Sequence, residues 1–328
     1  MIISKTPYRV SFFGGGTDYP EWYLRNGGEV ISSTINKFVY ISLRNLPSFF
    51  THKFRIVYRK TELVRSIDQI EHPAVKEAFL RYHKKKVGLE LHYDGDLPAR
   101  SGMGSSSVFV VGLINVLTRF NNIELNKNQL ANESIIFEQK YLKEVVGSQD
   151  QVAAAYGGLN SIVFKKDKSI IVKKLINNDY KLKEFFSNFV LVYTGISRTA
   201  NEVAKTYLKK LNFSKEKYLY KIIDHTQLAK KYLKNYDFDS FGSLLNETWE
   251  VKKKLSSIVT APEIDKIYSL GKASGALGGK LLGAGGGGFI LFYIKKNKLK
   301  KLRKKLNKFM IIPFDISKNG SEIIFNNE

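Results

Sequence analysis

The segment DLPARSGMGSSSVFVVGLINVL, Asp96 to Leu117, sets Pro98, Arg100, Ser101, Gly102, Met103 and Gly104 directly before Ser105-Ser106-Ser107 and an apolar-periodic run. Glycines 102 and 104 let the backbone lie against a ligand. A helix opening at Ser105 aims its unpaired N–H groups and positive dipole end into that loop. Such a construction binds phosphate, and the serine hydroxyls can add hydrogen bonds or ligate Mg2+. A Ser-capped helix after a glycine turn has the same pattern and binds nothing. The loop alone leaves both readings open.

Phosphoryl transfer also needs carboxylates, to hold Mg2+ and to orient or deprotonate the attacking hydroxyl. Glu138 lies beside Phe137 and near Tyr141 in a helical pattern, and Asp150 follows in VGSQDQVAAAYGG among small and apolar residues. That setting suggests placed carboxylates. The plain alternatives are a solvated helix-surface Glu138 and an Asp150 that caps a helix from Gln151. Other chemistries find less support. His52, His72, His83, His92 and His225 make no HxxxH pair, so a zinc enzyme is not expected. Gly283 to Gly288 formally matches GxGxxG, but it runs into the strand-like FILFYI, whereas a dinucleotide fingerprint must open a helix. Neither Gly271-Lys272-Ala273 nor Gly279-Lys280-Leu281 has the Ser or Thr that a Walker loop requires after its Lys. With no cysteine, disulfides and thiolate chemistry are excluded.

The elements that must position these residues read as a mixture. Ile2-Ile3 and Arg9 to Phe13 predict strand, broken by Gly14-Gly15-Gly16 before an apolar region through Val39-Tyr40-Ile41. Phe54 to Tyr58 and Leu89 to Tyr93 predict short strands, and Ser105 to Phe120 and Gln129 to Val146 predict helices. Leu159 to Phe164 and Phe189 to Gly195 return to strand, and the Lys- and Asn-rich stretch between them marks a domain boundary. Helix is expected over Thr199 to Leu211, on to about Leu255, and from Pro262. FILFYI, a basic helix and a strand near Ile311 complete an α+β pattern.

The chain of 328 residues is long enough for two domains, here residues 1–185 and 186–328. Its apolar run Val108 to Leu117 is about half the roughly 20 residues that span a bilayer, and MIISKTPYRVSFFGGGTD does not resemble a secretory signal. A cytoplasmic protein without membrane attachment is the expectation. The net charge of +23 invites a nucleic-acid reading. Its densest run, KKNKLKKLRKKLNKF, carries Leu299, Leu302, Leu306 and Phe309 at helical spacing, so its lysines read as the wet side of one amphipathic helix. No nucleic-acid partner is expected.

Three separated segments, in order, resemble the GHMP kinase superfamily. PYRVSFFGGGTDY, Pro7 to Tyr19, is similar to its N-terminal sugar-kinase signature, PARSGMGSSS to its phosphate loop, and KLLGAGGGGFI, Lys280 to Ile290, to its C-terminal glycine motif. Glu138 and Asp150 are twelve apart, as are the corresponding acidic residues of galactokinases. The resemblance implies a two-domain fold: an N-terminal β-α-β domain, a ferredoxin-like C-terminal sandwich, and an active site between them. It implies ATP and Mg2+ as cofactors, with Pro98 to Ser107 around the ATP phosphates and Ser106 and Glu138 on the metal. Asp150 would be base or hydroxyl orienter, and Arg9 would stabilise charge on the transferring group. Gly14, Gly15, Gly16, Thr17, Asp18, Tyr19, Gly195, Ser197, Arg198, Gly285 and Gly286 would bind the substrate, with Ser197 and Arg198 suited to a distant phosphate. Plain alternatives for these are Arg9 on an exposed strand edge, Asp18 in a turn, and Ser197-Arg198 as an ordinary helix start.

Galactokinases carry Glu-His where this chain has Gly15-Gly16. With GSQDQ and LVYTGISRTA, the variant is most similar to the D-glycero-D-manno-heptose 7-phosphate kinases. These phosphorylate the anomeric hydroxyl of a sugar phosphate in nucleotide-activated heptose synthesis. A fucokinase- or galactokinase-like sugar 1-kinase and a catalytically silent regulator of the same fold are the alternatives. The resemblance leaves the oligomeric state open, a homodimer included.

Overall fold

β1, Ile2–Phe13, is buried along nearly its whole length because it is covered on both faces. It pairs antiparallel with β2, Gly28–Leu46, a strand long enough to serve two neighbours. β2 bonds β6 (Leu159–Phe164) through its first six residues and β5 (Gly88–Gly95) through its last eight. β3 (Phe54–Val57) lies parallel to β5 and antiparallel to β4 (Thr61–Val64), and β7 (Ile170–Lys174) pairs with β6. A second, four-stranded sheet runs β11 (Ile311–Ile312), β8 (Phe189–Tyr193), β10 (Phe289–Tyr293), β9 (Gly278–Leu281). The computed structural model describes residues 1–99, 101–196 and 213–327. Arg100, Ser197, Arg198 and the helix expected over Thr199 to Leu211 lie outside the described residues.

The helix Ser105–Phe120 forms where its periodicity predicted it, and Gly112 lets it press onto β1. A Cβ at Gly112 would stand 2.9 Å from Thr6 Oγ1, and Ser4 Oγ donates to Gly112 O at 3.2 Å. The helix predicted over Gln129 to Val146 is shorter. Lys127–Ile136 is α-helical, Phe137–Tyr141 widens into a π turn, and Lys143 takes φ +54°, which ends the run. This break turns Glu138 into the interior, where it is 0% exposed. In the basic run the helix spans Leu299–Lys305, with Leu302 and Leu306 buried and Leu299 and Phe309 packed against the same core.

β4 and β7 were not foreseen, nor was any strand after Ile311. Beyond Ile311 the chain returns as β12, Glu322–Asn326, to pair with β1 at the edge of the large sheet. Its residues are mostly exposed, and the apolar run Ile323-Ile324-Phe325 is too short to declare a strand without its partner.

An aromatic cluster joins the two sheets' territories. Phe12 of β1 packs 5.7 Å from Phe185 and 5.6 Å from Phe241, and Phe189 of β8 lies 5.1 Å from Tyr293. Each such pair adds about 0.5–1.5 kcal/mol beyond the area it buries. One continuous core therefore holds both sheets at the walls of a cleft. Among the described residues no helix is long and apolar enough to cross a membrane.

Candidate active site

The cleft, about 980 Å3, is lined by Gly102, Gly104, Ser105, Ser106 and Ser107 on one side. Gly104 (φ +74°) and Gly102 (φ +76°) both lie in the left-handed region. A Cβ at Gly102 would stand 2.7 Å from Leu282 O, so the loop admits no side chain there. The first hydrogen bond of the following helix runs from Val108 N–H to Gly104 O. The Ser105 to Ser107 amides thus have no partner within the helix, and with the dipole they make an anion cradle. Of the other loop residues, Met103 is wholly buried, Ser101 is buried with its Oγ unpartnered, and Pro98 is exposed.

Beside the cradle stand Arg9 and Asp150. Arg9 Nε donates to Asp150 Oδ1 at 2.5 Å and Nη2 to Oδ2 at 2.8 Å, and Nη1 donates to Gly102 O at 2.8 Å. The Arg9 side chain is 5% exposed, far from a strand-edge arginine. Asp150 sits in the first turn of the helix Gln149–Tyr156, behind Ser148 at the N-cap position, so it does not cap that helix. A carboxylate has about four lone-pair positions, and Arg9 occupies two, leaving acceptors toward the cleft.

The loop after β1 supplies the floor. Asp18, 1% exposed, accepts from Gly16 N–H at 2.9 Å and Gln149 N–H at 3.4 Å. Burial first, and then repulsion from Asp150, push its carboxyl above the ordinary range against these hydrogen bonds. Gly15, Gly16, Asp18 and Tyr19 line the cleft. Gly14 and Thr17 instead hold the loop. A Cβ at Gly14 would meet Glu29 O at 2.0 Å, and Thr17 Oγ1 donates to Gly14 O at 2.8 Å. Ser11 Oγ and Gln149 Oε1 are buried beside Gly15 without hydrogen-bond partners. Unpartnered polar atoms in such a place suit a hydroxyl-rich ligand.

The C-terminal glycine motif buttresses the cradle. A Cβ at Gly283 would lie 2.7 Å from Gly102 Cα, and one at Gly288 2.1 Å from Ser101 O. Gly285 lines the cleft, while Gly286 donates its N–H to Val259 O at 2.9 Å. Gly195 takes φ +76° with open space around it.

Glu138 lies behind the cradle. Burial pushes its carboxyl up to about 8, with Glu144 and Asp150 adding repulsion against hydrogen bonding from Ser107 and Gln151. Gln151 Nε2 donates to Oε2, and Oε1 makes no hydrogen bond of ordinary geometry. The serine that reaches Glu138 is Ser107, next to the expected Ser106, which lines the cleft. A buried carboxylate oxygen beside serine hydroxyls is an all-oxygen donor set, and Mg2+ characteristically takes one or two carboxylates plus phosphate oxygens. Among the described residues no three acidic or histidine side chains cluster.

Sequence reasoning missed several lining residues. Tyr58, Val75, Leu91, Tyr93 and Phe109 form an apolar wall suited to a planar base. Lys252 and Lys280 line the cleft as well. Only Lys280 carried a signal, being adjacent to the glycine motif.

The GHMP kinase N-terminal domain model matches residues 69–158 and the C-terminal domain model residues 229–312. The chain is 30% identical over 335 residues to a D-glycero-alpha-D-manno-heptose 7-phosphate kinase of Campylobacter jejuni, covering 97% of each. It is 25% identical to an L-fucokinase/L-fucose-1-P guanylyltransferase of Bacteroides fragilis, over 90% of this chain and 35% of that one. A crystal structure of a D-glycero-D-manno-heptose 1-phosphate kinase from Bacteroides thetaiotaomicron shares the fold at TM-score 0.80, with 24% identity and full coverage of both chains.

The chain belongs to the GHMP kinases, with their two-sheet α+β fold. Within that family it is an ATP-dependent sugar kinase that works with Mg2+.

Proposed function

We propose that the chain phosphorylates the anomeric C1 hydroxyl of D-glycero-D-manno-heptose 7-phosphate, giving the 1,7-bisphosphate for nucleotide-activated heptose and surface polysaccharide, in the cytoplasm. The observation that carries the chemistry is the closeness of Asp150 to the cradle: a Cβ at Gly104 would lie only 3.0 Å from Asp150 Oδ2. The sugar is supported by similarity to the Campylobacter jejuni heptose 7-phosphate kinase along 97% of the chain.

In this reading the Gly102 to Ser107 backbone binds the triphosphate, with Pro98, Arg100, Ser101 and Met103 shaping the loop. Ser106 and Glu138 hold Mg2+, with Ser107 already beside that carboxylate. Bound MgATP supplies the γ-phosphoryl group and neutralises part of its charge. Asp150 aligns the C1 hydroxyl and takes its proton at an oxygen lone pair that Arg9 leaves free. Arg9 fixes the carboxylate's direction and places positive charge at the transfer point. Asp18 holds sugar hydroxyls, and Gly15 and Gly16 leave room for the sugar ring. Residues 1–185 form the N-terminal domain, with the phosphate loop, the metal ligands and Asp150, and 186–328 the substrate-side C-terminal domain with the glycine-rich motif, apart from the returning β12.

A 1-kinase for an unphosphorylated sugar such as fucose is the second reading, favoured by the 25% identity to the Bacteroides fragilis fucokinase. Rates with free and phosphorylated sugars, and NMR of each product, separate the two. The proposal expects the highest kcat/KM with heptose 7-phosphate and the new phosphate on C1. A higher kcat/KM with fucose or galactose overturns it.

A further inference from the structure

Lys252, near the end of the helix Phe238–Leu255, and Lys280, on β9, both reach the cleft. Lys280 is 4% exposed, and its Nζ donates to Phe12 O at 2.9 Å. Lys252 Nζ donates to Gly283 O at 2.6 Å. Among the described residues neither makes an ion pair. An ammonium has three donors, so each lysine keeps two beyond its main-chain carbonyl.

The charges around them do not balance. Arg9 is committed to Asp150 on both carboxylate oxygens. Asp18 is the remaining carboxyl that attracts both lysines, while Arg9 repels both and Lys252 repels Lys280. Burial pushes the Lys252 ammonium down to about 8 and the Lys280 ammonium well below its ordinary value. Burying two cations against one carboxyl is costly, and a neutral sugar brings nothing to offset it. The nucleotide's phosphates already have the amide cradle and Arg9. Lys280 reaches the cleft from the β1 carbonyl at Phe12, just before the Gly14 to Asp18 floor, and Lys252 from the Gly283 loop, with Asp18 of that floor attracting both.

We propose that Lys252 and Lys280 form an anion subsite that binds a phosphate monoester carried by the acceptor sugar. The inference rests on the sugar-phosphate reading above. It makes the lysines specificity determinants: one dianion meets two ammonium groups that line the cleft.

The test compares kcat/KM for heptose 7-phosphate and for the same heptose without phosphate, at saturating MgATP, in the wild type, Lys252→Met and Lys280→Met. Melting curves confirm that each variant is folded; should Lys280→Met fail to fold, Lys252→Met and Lys252→Gln decide. The expected result is a wild-type preference for the phosphorylated sugar that shrinks at least about tenfold in the variants, through KM for the sugar. A preference left intact in folded variants overturns the subsite, as does an equal loss with both sugars accompanied by a higher KM for ATP. A wild type that prefers the unphosphorylated sugar overturns the substrate reading itself, and the subsite with it.

Discussion

Asp150 and Arg9 meet side-on, with both carboxylate oxygens held by one guanidinium whose third nitrogen is anchored on Gly102 O. The acceptor-side carboxylate and the phosphate loop therefore share one brace. Asp150→Asn keeps the shape but loses the proton acceptor and places an NH2 against Arg9. Turnover should fall on the order of 10²-fold or more with the fold retained. Steady-state kinetics beside a melting curve decide, and near-normal activity in a folded variant rules out the role.

Arg9→Lys tests the brace itself. Lysine keeps the charge but cannot span two carboxylate oxygens and a carbonyl at once. The expected result is a loss mainly in kcat, with the helix content unchanged by circular dichroism. Wild-type kcat would show that charge alone suffices.

Two glycines on opposite walls should fail differently. At Gly102 an added Cβ meets Leu282 O at 2.7 Å at φ +76°, so Gly102→Ala must displace the cradle and raise KM for ATP. At Gly15 the nearest atoms are Ser11 Oγ at 3.7 Å and Gln149 Nε2 at 3.8 Å, ordinary contacts. Gly15→Ala should fold normally and raise KM for the sugar. The reverse pattern of KM changes would mean the two sides of the cleft have been misassigned.

Glu138→Gln removes the carboxyl group that would ionise against a metal while keeping the Gln151 contact's shape. The Mg2+ concentration for half-maximal rate should rise about tenfold or more. Thermal stabilisation by MgADP should weaken in parallel. Unchanged Mg2+ dependence would remove Glu138 from the metal site.

Lys252 gives a pH signature. Its folded-state pKa is lowered from 10.5 to about 8, so the penalty for burying it is full below about 8 and disappears as pH rises toward 10.5. Lys252→Met should therefore be more stable than the wild type at neutral pH, with a gain on the order of 1 kcal/mol. That gain should shrink as pH rises through 8 to 10.5. Denaturant titrations at several pH values measure it, and a gain that grows with pH contradicts the assignment.

The local parts of the site were legible in the chain. Gly102, Gly104 and the three serines declare a loop and a helix start within a few residues, and the helix ends at Phe120 as its apolar period does. The Asp150 contact with Arg9 joins residues 141 apart, which only the family resemblance brought together. Lys252 is one of three consecutive lysines in the last turn of its helix, and nothing in its sequence neighbours marks it as the one that turns inward. The π turn at Phe137–Tyr141 was hidden because the apolar residues on either side keep a helical look while the backbone slips by one residue. β12 depends on an edge offered by residues more than three hundred positions earlier.

That last strand has a mechanical consequence. Since Ile2 is registered with Asn326, the two chain ends are zipped together, and Phe12 is wedged among rings from both halves. A fragment ending at residue 185 would lack an edge of its own sheet and expose half of an aromatic cluster. The nucleotide and sugar halves should therefore melt in a single calorimetric transition, and neither should be recoverable as an autonomous module.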